Sequence, residues 1–222
     1  MARSLAVGAT ALVLSVAGWV SPTAAGAAPA TSTTLVLSNP TSAYGQSVRA
    51  SAAVASSAGP AQGDVVFTVD GIAIKANLTG GGTASVLLPD TAVGIHEVRA
   101  TFVPQLPLQQ EGSSSPVQQW RVERAAVDLG VQVSGARPRS AARVRLDLRG
   151  DFGTSPGGDV RLRLAMAGGP RRVRTATLDA TARATVRLGR LAPGRYRLVA
   201  TYAGDADHLA ARRTVRYRVG RP

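Results

Sequence analysis

Arginines alternate with apolar residues along several short stretches of this chain, a spacing with clear chemical consequences. The stretches include Arg143-Val144-Arg145-Leu146-Asp147-Leu148-Arg149, Val160-Arg161-Leu162-Arg163-Leu164, Arg183-Ala184-Thr185-Val186-Arg187-Leu188 and Arg216-Tyr217-Arg218-Val219. Successive side chains of a strand point to opposite faces, so the apolar residues turn inward and the guanidinium groups outward. Each guanidinium is a planar fork of donors that grips phosphate or carboxylate bidentately. If the strands share one sheet, Arg161, Arg163, Arg195, Arg197, Arg216 and Arg218 cover one solvent face. That face is the candidate polyanion-binding surface. Anionic cell-envelope polymers, acidic polysaccharides and membrane surfaces are partners of suitable chemistry, and another surface protein is the alternative. Nucleic acid is not expected, because few aromatics interleave the arginines for base stacking. A purely protective basic surface, keeping sheets from pairing edge to edge, accounts for the same pattern.

The remaining reactive residues are few. The chain has 222 residues, no cysteine, two histidines and a formal charge of +13. Without cysteine there is no disulfide scaffold, zinc ribbon or thiol catalysis. Residues 1–122 balance five basic against five acidic side chains, so the whole +13 belongs to residues 123–222. His208 lies beside Asp205 and Asp207, but calcium requires six to eight oxygen ligands. These residues read as a loop in which an aspartate bonds backbone amides. Leu191-Ala192-Pro193-Gly194-Arg195-Tyr196 resembles a tyrosine corner, and His96 occupies the equivalent place earlier in the chain. Asn77-Leu78-Thr79 matches a glycosylation sequon. Trp120 is expected to pack at the joint between two modules. No nucleophile–base or paired-carboxylate arrangement has usable spacing, so no enzyme, cofactor or metal is expected.

The elements that position these residues follow an address label. Arg3 precedes the apolar run Leu5–Val20, and Ala25-Gly26-Ala27 provides small residues for cleavage. Residues 1–27 thus read as a secretory signal peptide, since a span would need about 20 apolar residues. The expected product is secreted, either released or held at the surface without a covalent anchor. Short alternating segments then follow at Thr34–Ser38, Ser47–Ala55, Asp64–Asp70, Ile72–Leu78, Thr83–Leu88, His96–Val103 and Gln118–Glu123. Asp70-Gly71 predicts a tight hairpin turn, and Gly80-Gly81-Gly82 a similar turn after the next strand.

The pattern then repeats. Ala84-Ser85-Val86-Leu87-Leu88 aligns with Ala184-Thr185-Val186-Arg187-Leu188, 100 positions on. Gly94–Phe102 aligns in the same way with Gly194–Tyr202, and Gly63-Asp64-Val65 with Gly158-Asp159-Val160. Two antiparallel sandwiches in tandem are predicted, at 28–122 and 123–222, with a stiff joint near Val122–Ala126.

Thr33-Thr34-Leu35, Tyr44-Gly45-Gln46-Ser47-Val48, Gly94–Phe102 and Tyr202-Ala203-Gly204-Asp205-Ala206-Asp207-His208 resemble bacterial Ig-like repeat domains. The resemblance covers nearly all of residues 31–220. It implies an all-β, immunoglobulin-like fold in a secreted or surface protein serving as stalk, spacer, adhesion module or enzyme appendage. Val103-Pro104-Gln105 departs from the family's Gly-Asp loop, so that corner is expected to be built differently. The functional expectation is a non-catalytic spacer or adhesion-type module. Its alternative is a binding protein for anionic cell-envelope polymers or acidic polysaccharides, with the first domain as stalk.

Overall fold

The computed structural model describes residues 27–107, 109–137 and 140–220. Of the expected leader, residues 1–27, all but Ala27 lies outside the described residues. The first half contains β1 (Thr31–Leu37), β2 (Thr41–Ala43), β3 (Arg49–Ser56), β4 (Gly63–Val69), β5 (Ile72–Asn77), β6 (Thr83–Leu87), β7 (Gly94–Pro104), β8 (Ser113–Ser114) and β9 (Gln118–Glu123). The second contains β10 (Val127–Ser134), β11 (Ala141–Gly150), β12 (Asp159–Met166), β13 (Arg171–Thr177), β14 (Arg183–Arg190), β15 (Gly194–Tyr202) and β16 (Ala211–Val219). The described residues are all-β apart from a single 3₁₀ turn at Asp151–Gly153.

Each half divides its strands between two sheets. In the first, β1-β3-β6 faces β2-β9-β7-β4-β5, with β8 paired to β7. In the second, β10-β11-β14 faces β13-β12-β15-β16. Consecutive strands such as β3 and β4, or β11 and β12, therefore cross between sheets, the arrangement of an immunoglobulin-like sandwich.

The period-two reading accounts for the cores. In β12, Val160, Leu162 and Leu164 are buried while Arg161 and Arg163 are exposed. Phe67, Phe102, Val65 and Val98 fill the first core; Tyr202, Leu146, Leu162 and Leu198 fill the second. Burying each such side chain contributes about 1.5–3 kcal/mol.

The expected antiparallel sandwich is present, and two smaller expectations need correction. The short β2 joins the sheet edge in parallel with β9. Pro40 cannot donate to a ladder, and the chain crosses there to the other sheet, where the Pro40 carbonyl accepts the Arg121 N–H. Gly80–Gly82 is not a hairpin turn, since β5 and β6 belong to different sheets. Gly82, at φ +71°, lets the crossing chain lie against Val54, where a Cβ would be 2.8 Å from the carbonyl oxygen. Trp120 does not pack at the joint. It belongs to the first core, donates to Ser42 Oγ at 2.9 Å and lies against His96. Asp70-Gly71 does form the expected turn, with both residues at positive φ.

Candidate functional site

The sheet β13-β12-β15-β16 brings together all six arginines singled out above. Residues directly opposite in a ladder share a face. Arg195 is opposite Arg218, Arg197 opposite Arg216, and Arg161 and Arg163 opposite Thr201 and Val199. All six are exposed and lie on the face away from the core. The same register adds two more. Arg171 is opposite Ala165, in the rung of Arg197 and Arg216, and Arg212 is opposite Thr201. Both are exposed. Arg212 has the same period-two phase as Arg216 and Arg218 on β16, whereas in Arg171-Arg172 alternation alone does not say which one points outward.

The electrostatics of this face are one-sided. Among the described residues no carboxylate lies within ion-pair distance of these eight arginines. Like charges directly opposite each other destabilise a ladder, and here two such arginine pairs flank the Tyr196–Tyr217 rung. The second half's other sheet is mixed: Arg143, Arg145 and Arg187 are exposed there too, with Arg143 directly opposite Arg187, but two further arginines are neutralised. There Asp147 takes hydrogen bonds from Arg183 and Arg149, both at 3.1 Å, and the Arg183 bond above all lowers its carboxyl pKa. Val199 points outward by register yet is only 9% exposed. It lies in a groove of ≈ 330 Å³ with Arg163, Arg197 and Arg212, whose stems can cover it.

The remaining polar residues brace the sandwiches. Tyr196 donates to the Ala192 carbonyl at 2.9 Å, the expected corner. His96 bonds the Ala92 carbonyl across the same four-residue step, also at 2.9 Å, and meets Asp70 at 2.6 Å. The His96 bond, with the Glu97 N–H, holds the Asp70 carboxyl below its usual range. Asp205 accepts from the N–H groups of Gly157, Asp207 and His208, and from the Tyr202 hydroxyl. Burial acts to raise its pKa, but these donors and the His208 ring outweigh it and hold the carboxyl well below the ordinary range. Burial above all, and then the contact with Asp205, push the pKa of the Tyr202 hydroxyl upward. Among the described residues there is no cluster of three or more potential metal ligands.

The departing corner of the first half is indeed built differently. Gln62 corresponds to Gly157 in the repeat, and its N–H is satisfied by Gln110 Oε1 at 3.0 Å. Gln110 also donates to the Pro60 carbonyl. A buried glutamine thus serves the backbone position that Asp205 serves in the second half. Gln110 follows Gln62 by 48 residues, as Asp205 follows Gly157, so the repeat spacing marks its position although the local residues do not.

Where the halves meet, Ala125 is fully buried and bonds Asp207 and Leu209 through its N–H and carbonyl. Tyr44 meets the His208 ring edge-on at 5.7 Å, and Arg124 donates to the Ala206 carbonyl. Gly45, at φ +80°, faces Thr154 so closely that a Cβ there would collide with its methyl group.

Fold and face together define an immunoglobulin-like sandwich whose four-stranded sheet gathers eight outward arginines. No protein-family model matches the chain, and no curated protein matches it. Among solved structures it is similar to a tetra-tandem repeat from the extending region of a large adhesion protein, at 18% identity and TM-score 0.47. That match covers 86% of this chain and 49% of the other, so this chain spans about half its length. It is also similar to the Yersinia pseudotuberculosis adhesin InvE (16% identity, TM-score 0.38, covering 83% and 58%). The D0-D1 domain of intimin matches at 16% identity and TM-score 0.32, covering 83% and 97%. Likenesses of this degree carry nothing about activity or partners.

Proposed function

We propose that the chain is an exported, non-catalytic protein of two tandem Ig-like domains, 28–122 and 123–222, acting as a stiff spacer or adhesion-type module. The observation that carries this reading is the joint. Its backbone is hydrogen-bonded on both sides at Ala125 and braced by the Tyr44–His208 contact, with no flexible linker. Residual dipolar couplings on the full chain test it. One alignment tensor is expected to fit both halves, and Gly45→Ala to split it into two by wedging the joint apart. Two independent tensors in the unmodified protein would overturn the spacer. Export has its own test: fractionation should find a mature chain beginning at Ala28 in the medium or at the cell surface, and an intracellular full-length chain contradicts it.

A second reading, binding of anionic cell-envelope polymers, is favoured by the alignment of eight unpaired arginines on one sheet face. Binding to an anion-bearing resin should weaken with salt. It should fall sharply when Arg161, Arg163, Arg195 and Arg197 are replaced by alanine. Unchanged retention by that variant would remove this reading.

A further inference from the structure

Two grooves on the arginine face join into a single track. One, of ≈ 560 Å³, sets Ala165 and Ala167 beside Arg195, Arg197, Arg216 and Arg218. The other, of ≈ 330 Å³, sets Ala165 and Val199 beside Arg163, Arg171, Arg197 and Arg212. Ala165 and Arg197 belong to both. Small and apolar side chains therefore make a low floor, and arginines from all four strands stand along it. From Arg195 to Thr201, the position opposite Arg212, β15 advances about 20 Å.

We infer that this track holds an extended linear phosphate polymer, with Arg197 at its centre. The inference rests on the basic-face reading above and names its ligand chemistry. Directly opposed arginines repel unless an anion lies between them. Strands about 4.8 Å apart bring guanidinium groups from two strands to one tetrahedral phosphate, whose oxygens point in several directions. A planar carboxylate is matched by a single fork. The outward positions of the face hold arginine, alanine, valine, threonine and one aspartate, Asp159. Tyr196 and Tyr217 also line the larger groove, but their register turns both rings toward the core, where they stack on each other, so contact falls on the charged backbone of the polymer. A continuous track also rewards repetition, since each further phosphate meets another arginine without a new association step.

The test uses the full chain with inorganic polyphosphate, monitored by calorimetry. Long-chain polyphosphate should bind, and tripolyphosphate, too short for the track, at least about tenfold more weakly. Arg171→Gln/Arg197→Gln/Arg212→Gln should lose about tenfold or more. Arg143→Gln/Arg145→Gln/Arg187→Gln removes equal charge from the opposite sheet and should lose less than about threefold. All six positions are exposed, and a thermal melt of each variant verifies the fold. Equal losses in the two triple variants overturn the track. Equal affinity for polyglutamate, a sulfated polysaccharide or single-stranded DNA overturns the phosphate assignment while leaving the basic-face reading intact. Failure to bind any of these polyanions overturns both.

Discussion

The two halves of the chain solve the same folding problem and then present opposite surfaces. In the first half, the sheet containing β4, β5, β7 and β9 exposes Lys75, Arg99 and Arg121 among Asp64, Glu97 and Glu123, with Lys75 and Asp64 paired at 2.6 Å. In the second, the corresponding sheet sets eight arginines on that face with Asp159 alone at one end. Position 97 is glutamate and position 197 is arginine, on equivalent strands. The sandwich needs only its inward residues, so the outward ones are free to vary. Charge on this face is therefore a property added to the fold and not required by it.

The sharpest way to probe this comparison is through the paired braces. Asp205→Ala leaves three backbone N–H groups, the Tyr202 hydroxyl and the His208 ring without their acceptor. It is expected to cost the second half about 3 kcal/mol or more in urea unfolding. Gln110→Ala frees fewer groups in the first half and should cost about 1–2 kcal/mol. Equal costs would mean that the two corners are not the unequal anchors described above.

Acid separates the halves in the same direction. The folded-state pKa of Asp205 is depressed, so its contribution is present above the unfolded value of 3.8 and is lost as pH falls below it. Asp70 acts with the same sign in the first half but is half exposed at the surface, so its contribution is small. Unfolding followed residue by residue should show the second half giving way first as pH drops below about 4. Simultaneous loss, or loss of the first half alone, would contradict the difference.

Smaller effects come from the stacked pair Tyr196 and Tyr217, whose rings lie 5.4 Å apart. Tyr196→Phe removes the corner bond and should cost about 1 kcal/mol. The Tyr217 hydroxyl is buried without a partner, and burial, together with the neighbouring Tyr196, pushes its pKa up to about 12. Tyr217→Phe should therefore leave the melting temperature unchanged or raise it slightly.

Most of the sandwich was legible because its strands bury one face, so alternation in the chain reports directly on inward and outward positions. The six arginines were placed for that reason, and the 100-residue repeat matched His96 with Tyr196. Legibility ended where long-range pairing decides the outcome. Thr41–Ala43 is too short to show a period, and its partner β9 lies some 80 positions away. Trp120 alternated with Val122 in β9, which pointed inward, but its Ser42 acceptor lies on that hidden strand. Arg171 stands next to another arginine and before the apolar Val173, so only the ladder register assigned it to the face. Arg212 shares the phase of Arg216 and needed only the strand's full length.

The proposed track places the binding charge of this protein on a single sheet. An isotope-labelled full chain titrated with long-chain polyphosphate tests it directly. Amide shifts should move along β12, β13, β15 and β16, with the largest changes around Arg197, while β4, β5, β7 and β9 stay silent. Shifts spread evenly over both halves, or centred on β10, β11 and β14, would contradict it.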